Sequence, residues 1–377
     1  MKKKIAVLGA TGSIGKSSLD IISRNSGSFD LILLSAHCRR RELDALETQW
    51  PSAVRVLTGE NSGREKLLLA IKNSNADLVI NGISGGAGLE PSLAAVEAGA
   101  NLALANKETV VMAGKLIFSL AEEKKVKIIP VDSEHSAIFN LLNAHNNAEI
   151  SEIILTASGG PFRKLSLKEM ESVTVKDALS HPTWNMGKKI TVDSATMANK
   201  GLEIIEACNF FNVHPGKIKV AVHPQSVVHS MIRLCNGVVY AQLSKPDMRH
   251  PIHDALYWPQ TTPLNLEPLN FDSLTLEFEK PDLQKFPMLR LAREAAERGG
   301  LYPCAYNGAN EEAVKAFLDE KIGFLDIAAV TAGVLEKDWP SDYDDLQTVL
   351  KADADSRQVA LSCIKKILTR RHGGTKL

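Results

Sequence analysis

Acidic side chains that could bind a metal ion occur in two separate segments of the sequence. Asp132 and Glu134 lie two residues apart within Val131–His135, and Glu203 closes the segment Val192–Glu203. Carboxylates without cysteine form a hard oxygen site, which suits Mg²⁺ or Mn²⁺. If residues 132–134 are extended, Asp132 and Glu134 project to the same side. Spacing alone is equally compatible with solvated surface acids.

Small polar residues in three further places are typical of a phosphate-monoester site. They are Ser158 at the start of Ser158–Pro161, then Ser194, and then the neighbours Asn199 and Lys200 near a predicted helix start. Hydroxyls, an amide and a lysine can all bind phosphate oxygens. Each of these residues taken alone can instead cap a helix.

The segment Ser180–Gly187 has the composition of a mobile lid. It places Trp184 between Pro182 and Gly187, with His181 directly before the proline. Such a segment can close over a substrate and exclude water. A single tryptophan can equally belong to a core, and so can His181 or His135.

A glycine-rich loop, Gly9–Gly15, directly follows the first predicted strand and opens a helix. Its spacing is GxxGxxG. Glycines permit a tight turn and let a pyrophosphate approach the backbone, while the helix N-terminus offers free amides. The loop therefore predicts a dinucleotide site, although an ordinary tight turn has the same composition.

The residues after the second predicted strand favour NADP over NAD. Sites for NAD usually carry an acid there for the ribose hydroxyls, whereas this chain reads His37, Cys38, Arg39, Arg40 and Arg41. Arginines suit the 2′-phosphate of NADP. The alternative is that they form the solvated first turn of the next helix.

Composition bounds the kind of protein that carries these motifs. In the 377 residues, 44 basic side chains balance 44 acidic ones, so no overall charge attracts nucleic acid or an anionic membrane. The five cysteines are scattered and contain no CxxC pair, which indicates reduced thiols in a cytoplasmic protein. No signal peptide and no membrane span is expected.

The elements that must position these residues follow from apolar periodicity. Strands are predicted at Ile5–Gly9, Leu31–Ser35, Ala53–Leu57, Asp77–Asn81, Asn101–Ala105 and Lys127–Val131, and helices at Ile14–Ser23, Glu65–Asn73, Leu89–Ala98 and Val110–Lys124. Strict alternation predicts a parallel sheet covered on both faces. Beyond it we predict a strand at Glu152–Ser158 and a hairpin from Val227 to Ser244.

The second half of the chain ends in a helical pattern. Prolines without periodicity predict an extended linker, and four helical stretches follow, at Met288–Glu297, Ala309–Asp319, Phe324–Leu335 and Asp344–Thr369. We therefore predict an α/β protein with a Rossmann-like parallel sheet domain at 1–131, an α+β catalytic domain at 132–257, a linker at 258–285 and a small helical domain at 286–377.

Taken together, the motifs resemble the 1-deoxy-D-xylulose 5-phosphate reductoisomerases of the non-mevalonate isoprenoid pathway. The resemblance rests on Gly9–Gly15, Leu104–Glu108, Val131–His135, Ser158–Phe162, His181–Met186, Val192–Glu203 and His223–Ser226, in that order. It implies NADPH and Mg²⁺ or Mn²⁺ as cofactors, with Co²⁺ as a further usable metal. It also implies a homodimer, and conversion of 1-deoxy-D-xylulose 5-phosphate to 2-C-methyl-D-erythritol 4-phosphate.

The resemblance also implies roles for individual residues. The metal ligands would be Asp132, Glu134 and Glu203, with Lys107 as a further catalytic group. Substrate contacts would come from Lys107, Glu134 and Glu203 and also from Ser133, Ser158, His181, Trp184, Ser194, Asn199 and Lys200. Met186 would lie in the lid. Cofactor contacts would come from Thr11, Gly12, Ser13, Ile14, His37, Arg39, Arg40, Asn106, Glu108, Gly187 and Met248.

One departure from the family concerns the second strand. Many relatives carry Gly-Lys-Asn where this chain has His37, Cys38 and Arg39, so the 2′-phosphate contact is expected to shift to Arg39 or Arg40. Two other functions are weighed against the resemblance. One is a metal-independent NADP-dependent aldehyde or semialdehyde dehydrogenase, and the other is a non-catalytic NADP-binding regulator.

Overall fold

The computed structural model describes residues 1–145, 149–184 and 186–373. It contains two compact units. The first unit consists of Met1–Thr109, Gly114–Asn140 and Asp247–Pro268. The second unit consists of Val110–Ala113, the described part of Leu141–Pro246, and the described residues from Leu269 onward.

The first unit is built on a parallel sheet, which confirms the predicted α/β class. Among the described residues the sheet has six strands in the order β3-β2-β1-β4-β5-β6. The strands are β1 (Lys3–Leu8), β2 (Phe29–Ala36), β3 (Val54–Leu57), β4 (Leu78–Asn81), β5 (Asn101–Leu104) and β6 (Ile128–Pro130). All of their pairings are parallel. Each predicted strand is present, with ends within two residues of the prediction.

Helices cover both faces of this sheet, as the buried runs in its strands require. They are α1 (Ser13–Arg24), α2 (Arg40–Ala45), α3 (Gly63–Asn73), α4 (Leu89–Glu97), α5 (Lys107–Lys124), α6 (Ser133–Ala144) and α11 (Arg249–Tyr257). The core joins Ile5 and Val7 of β1 to Leu19 and Ile22 of α1 and to Ile252 of α11. Parallel strands buried on both faces read as continuous apolar runs, and this is why the sequence revealed them.

The second unit contains a mixed sheet, which was only half predicted. In the described part of the chain its strand order is β10-β9-β7-β8. The strands are β7 (Ile150–Ala157), β8 (Ile218–Val222), β9 (Val228–Leu234) and β10 (Val239–Leu243). The β7 strand and the β9–β10 hairpin match the prediction. The prediction missed β8, which pairs in parallel with β7.

The remaining helices of the second unit fall into two groups. The first group is α7 (Leu167–Met170), α8 (Val175–Ala178), α9 (Lys188–Ala195) and α10 (Ala198–Phe211). None of these four was predicted, apart from the helix start near Asn199. The second group is α12 (Pro287–Arg298), α13 (Tyr302–Leu318), α14 (Asp326–Leu335) and α15 (Leu346–Gly373), which confirms the predicted helical end. Within the described residues, no helix is long and apolar enough to span a bilayer.

Candidate active site

The glycine loop forms a tight turn between β1 and α1. Gly9 has φ +78°, a conformation that favours glycine. A Cβ on Gly15 would lie 2.4 Å from the Gly9 carbonyl oxygen, so only glycine lets α1 start this close to the strand. No acidic residue occurs in the first turn of α1. The free amides at this helix end therefore have no acidic residue within their own turn, an arrangement that suits a phosphate.

The two candidate arginines after β2 differ in their surroundings. Arg39 precedes α2 and donates a hydrogen bond from Nη1 to the carbonyl oxygen of Thr11, at 3.0 Å. Its side chain thus lies against the glycine loop. Arg40 is the first residue of α2 and pairs with Glu60. His37 places Nδ1 3.1 Å from Thr58 Oγ1. Arg40 and Arg41 therefore lie in the first turn of α2, whereas Arg39 precedes that helix.

Asn106 and Glu108 organise the backbone beside the glycine loop. Asn106 caps α5, since its Oδ1 accepts from the Thr109 amide at 3.0 Å. Its Nδ2 donates to the carbonyl oxygens of Ile83 at 2.7 Å and Gly85 at 2.8 Å, and to Glu108 Oε2 at 2.9 Å. Both side chains are buried. They therefore fix the loop that follows β4, whatever contact they make with a cofactor.

Asp132 caps a helix, so the condition under which Asp132 and Glu134 would project to the same side, an extended segment, is not met. α6 begins at Ser133, and Asp132 Oδ1 accepts from the backbone amides of Glu134 at 3.2 Å and His135 at 3.3 Å. A carboxylate at this position satisfies amides that have no helical partner and interacts well with the helix dipole. The capping residue and the first turn of α6 therefore carry the two acids.

A largely buried ion pair joins the ends of two neighbouring strands of the first unit. Lys107 follows β5 and Asp132 follows β6, and Nζ lies 2.7 Å from Oδ2. The lysine side chain is 5% exposed and the aspartate side chain 13%. His135 Nδ1 lies 3.2 Å from Asp132 Oδ1, and Ser133 donates to Glu134 Oε2 at 2.7 Å. In the first unit the structure thus brings together Lys107, Asp132, Ser133 and Glu134.

In the second unit, α10 brings together three more predicted residues. Glu203 is fully buried and accepts from Asn199 Nδ2 at 2.6 Å and from Lys200 Nζ. The three residues share one face of the helix because their spacing is three and four residues. A buried carboxylate is costly unless it is paired, and Lys200 offsets that cost.

His181 and Ser158 form a polar pair whose tautomer follows from its partners. His181 Nδ1 accepts from the backbone amides of Thr183 at 3.1 Å and Trp184 at 2.9 Å. Its Nε2 must then carry the proton, which it donates to Ser158 Oγ at 3.0 Å. Burial lowers the pKa of His181, which favours this neutral form. Ser158 also accepts from the Gly160 amide at 3.4 Å, so its own hydroxyl can donate to an anionic oxygen.

The loop that carries Ser158 runs against the helix that carries Ser194. Gly160 has φ +68°, and a Cβ there would lie 2.7 Å from the Ser194 carbonyl oxygen. Glycine is required both by this conformation and by the close approach. The backbone segments of two predicted phosphate ligands are therefore neighbours, although they are far apart in sequence.

Three further predicted residues, Trp184, Gly187 and Met248, are described by their exposure and by the helices that they precede. Trp184 is partly buried, Gly187 is the exposed N-cap of α9, and Met248 is the N-cap of α11 and packs on the core of the first unit. Asn185, inside the predicted lid, lies outside the described residues.

One buried polar contact near Ser194 was missed in the sequence. Asp193 is 1% exposed and accepts from Lys189 Nζ at 2.9 Å and from Asn310 Nδ2 at 2.8 Å. Burial, followed by the charge of Asp193, raises the pKa of Tyr306 on α13. Asn310 also lies on α13, so this contact anchors α9 to the C-terminal helices. The helical spacing of Lys189 and Asp193 was the only available signal.

Comparisons with known proteins give a consistent result along the chain. Residues 5–65 and 42–114 match the family model of 1-deoxy-D-xylulose 5-phosphate reductoisomerase. Residues 128–211 match the model of its C-terminal domain, and residues 243–359 match the DXP reductoisomerase C-terminal domain.

Similar proteins of this family cover nearly the whole chain. The 1-deoxy-D-xylulose 5-phosphate reductoisomerase of Treponema denticola is 47% identical over 99% of both chains. That of Treponema pallidum is 45% identical over 96% of this chain and 97% of its own. The Zymomonas mobilis enzyme in complex with NADPH has a TM-score of 0.86 at 40% identity, covering 97% of this chain and 99% of its own. A DOX-P reductoisomerase with NADPH, fosmidomycin and magnesium has a TM-score of 0.89 at 38% identity, with the same coverage.

Proposed function

The chain belongs to the 1-deoxy-D-xylulose 5-phosphate reductoisomerase family, and on that premise we propose that it converts 1-deoxy-D-xylulose 5-phosphate to 2-C-methyl-D-erythritol 4-phosphate. The reaction uses NADPH and a divalent metal and serves isoprenoid precursor synthesis by the non-mevalonate route. The observation that carries the proposal is the Lys107–Asp132 ion pair at the ends of β5 and β6. Ligands of open α/β sheets bind beyond the carboxyl ends of the strands.

The proposed metal ligands are Asp132, Glu134 and Glu203. These residues suit a hard divalent cation because their donor atoms are carboxylate oxygens. Buried lysines hold two of the carboxylates, those of Asp132 and Glu203, in place. Mg²⁺ or Mn²⁺ suits such donors, and Co²⁺ is a further candidate. When bound, the metal supplies Lewis acidity toward two neighbouring substrate oxygens and NADPH supplies hydride.

Lys107 is proposed to act on the reacting end of the substrate. Its ammonium group is almost completely buried beside Asp132, so it is fixed in position before substrate binds. A preorganised cation stabilises negative charge that develops on oxygen while the carbon skeleton rearranges, by retro-aldol cleavage and re-addition in our proposal. Ser133, hydrogen-bonded to Glu134, would contact substrate oxygens at the same end.

The phosphate end of the substrate is proposed to bind to the second unit. Ser158 has a hydroxyl proton to donate, Ser194 lies on the neighbouring helix, and Asn199 and Lys200 lie together on α10. Binding energy at a non-reacting phosphate can hold the reacting carbons in place. His181, which accepts from the Trp184 amide, would shape the loop that Trp184 and Met186 close over the substrate.

The direct experiment is to mix the protein with NADPH, Mg²⁺ and 1-deoxy-D-xylulose 5-phosphate. We expect NADPH absorbance to fall in proportion to the ketose phosphate supplied, with one branched polyol phosphate formed per NADPH consumed. Mass and carbon NMR spectra of the product distinguish this from simple reduction of the ketone. Oxidation of NADPH without a change of carbon skeleton would contradict the proposal.

The cofactor preference gives a prediction about the arginines. Replacing Arg39 and Arg40 together by alanine should weaken NADPH binding about tenfold or more, because charged hydrogen bonds to the 2′-phosphate are lost. NADH, which lacks that phosphate, should bind nearly as before. Of the two single variants, Arg39→Ala should have the larger effect, since Arg39 lies against the glycine loop. Fluorescence titration with both cofactors measures this, and equal losses would refute the assignment.

A homodimer and a cytoplasmic location complete the proposal. β10 lies at the edge of the second sheet, and Val238, Val239 and Tyr240 beside and within it are 46%, 39% and 41% exposed. An exposed apolar edge strand is a natural surface for pairing with a second copy. Sedimentation equilibrium should then give twice the chain mass of 41.0 kDa, and Tyr240→Asp should shift the mass toward the monomer.

The proposed cytoplasmic location rests on the five free cysteines, which suit a reducing compartment.

A further inference from the structure

A charged cluster beside the glycine loop joins Arg39 to two residues, Lys16 and Glu42, that no motif used so far contains. Lys16, on α1, places Nζ 3.0 Å from Glu42 Oε2, and Arg39 places Nη1 3.6 Å from the same oxygen. All three side chains are about half exposed, at 61%, 45% and 54% for Lys16, Glu42 and Arg39. Two cations therefore converge on a single carboxylate oxygen at the surface of the first unit.

The cluster lies after β2 and beside the glycine loop, where a dinucleotide fold binds the adenine ribose. Arg39 follows the carboxyl end of β2, where a dinucleotide fold reads the adenine ribose. Its second contact, to the Thr11 carbonyl oxygen, ties it to the turn that would bind the pyrophosphate. Lys16 lies one residue beyond Gly15, so its ammonium reaches the same place from α1. The point between the two cations is suited to an anionic oxygen, and Glu42 supplies one.

Charge balance indicates what happens when a phosphate arrives. The hydrogen bond from Lys16 holds the pKa of Glu42 below its usual value, so the carboxylate is ionised at neutral pH. Two cations and one carboxylate leave a single net positive charge, whereas a phosphate monoester carries nearly two negative charges. Glu42 and a phosphate cannot occupy the same point without repulsion. Moving Glu42 away doubles the positive charge that faces the phosphate.

We propose that Lys16 is a second ligand of the NADPH 2′-phosphate, and that Glu42 holds Lys16 and Arg39 in place until the phosphate displaces its carboxylate. This inference rests on the proposed NADPH dependence and adds residues that determine cofactor specificity. Lys16 increases the preference for NADPH. Glu42 reduces it, because its displacement costs two exposed ion pairs and an acid there can still accept from the ribose hydroxyl of NADH.

A matched ion pair in the same unit separates this role from ordinary surface electrostatics. Lys72 and Glu97 lie 2.9 Å apart with exposures of 51% and 55%, close to those of Lys16 and Glu42. They occupy the C-terminal ends of α3 and α4, and so lie at the edge of the sheet opposite to the carboxyl ends of the strands. An exposed pair of either kind stabilises the fold little, so neither substitution should prevent folding.

The experiment measures the dissociation constants of NADPH and NADH by calorimetry for the whole protein. Lys16→Ala should weaken NADPH about five- to tenfold, as expected for one partly exposed charged hydrogen bond, and leave NADH within about twofold. Glu42→Gln should raise the ratio of NADPH to NADH affinity by about two- to fivefold. Lys72→Ala and Glu97→Gln should leave both constants unchanged. Adenosine 2′-monophosphate, which carries only the phosphate in question, should show the same order of effects as NADPH.

Each outcome has a distinct meaning. Equal changes for NADPH and NADH in Lys16→Ala, or equal effects from Lys72→Ala, would overturn the role of Lys16. A lower NADPH preference in Glu42→Gln would overturn the role of Glu42. If the unsubstituted protein binds neither dinucleotide, the proposed function itself fails, and that result is seen before any variant is compared.

Discussion

Replacing Glu203 by glutamine is expected to lower kcat/KM for 1-deoxy-D-xylulose 5-phosphate by about a thousandfold, while NADPH binding stays within about twofold. The substitution keeps the shape of a fully buried side chain and the hydrogen bond with Asn199, but removes the negative charge. A neutral amide binds Mg²⁺ poorly, and it leaves the Lys200 ammonium without its carboxylate partner. The glycine loop lies in the other unit and is unchanged.

The assay for Glu203 needs a control for folding. A buried ammonium that loses its carboxylate costs about 3–5 kcal/mol, so the variant should melt several degrees lower yet remain folded at the assay temperature. Glu203→Asp retains the charge on a shorter side chain and should recover part of the activity as the Mg²⁺ concentration is raised. Turnover of Glu203→Gln close to that of the unsubstituted protein would remove Glu203 from the metal site.

Removal of divalent metal should have an effect of similar size. After exhaustive treatment with EDTA, turnover is expected to fall at least about a hundredfold, because carboxylates alone cannot polarise the substrate carbonyl. Mg²⁺ or Mn²⁺ should restore it. NADPH binding, followed by fluorescence, should persist throughout, since the proposed cofactor contacts at the glycine loop and Arg39 include none of the proposed metal ligands.

The metal experiment also separates the proposed enzyme from its alternatives. A metal-independent NADP-dependent dehydrogenase would retain full activity in EDTA. A regulator that binds NADPH without catalysis would show no turnover before or after treatment. Only loss on chelation followed by recovery with added metal supports the role proposed for Asp132, Glu134 and Glu203.

The alternation of elements in the first unit could be read from the chain because its signals are local. The strands are short apolar runs, since both faces of a parallel sheet are buried, and Gly9 and Gly15 are required by backbone geometry alone. The C-terminal helices were predictable from their apolar spacing. In contrast, β8 at Ile218–Val222 lies at a sheet edge, where only some positions are buried, and its pattern did not stand out.

The segment after β6 shows where local reading fails. At residues 132–135, an extended segment and a capped helix differ in which group accepts the hydrogen bonds that the backbone amides of Glu134 and His135 donate. Asp132 provides that acceptor through its side chain. Aspartate is a favoured capping residue, so the signal was present, but it was interpreted only as a candidate metal ligand.

The sequence alone determined the types of the chemical groups: three acids, a lysine after a strand, small hydroxyls, and a glycine loop followed by arginines. Tertiary structure decided which of them are partners. Lys107 pairs with Asp132 because β5 and β6 are neighbours in the sheet, and Asp193 pairs with Asn310 because α9 packs on α13. Such pairings depend on strand order and helix packing, which place residues far apart in the chain within hydrogen-bond distance, and no local pattern encodes them.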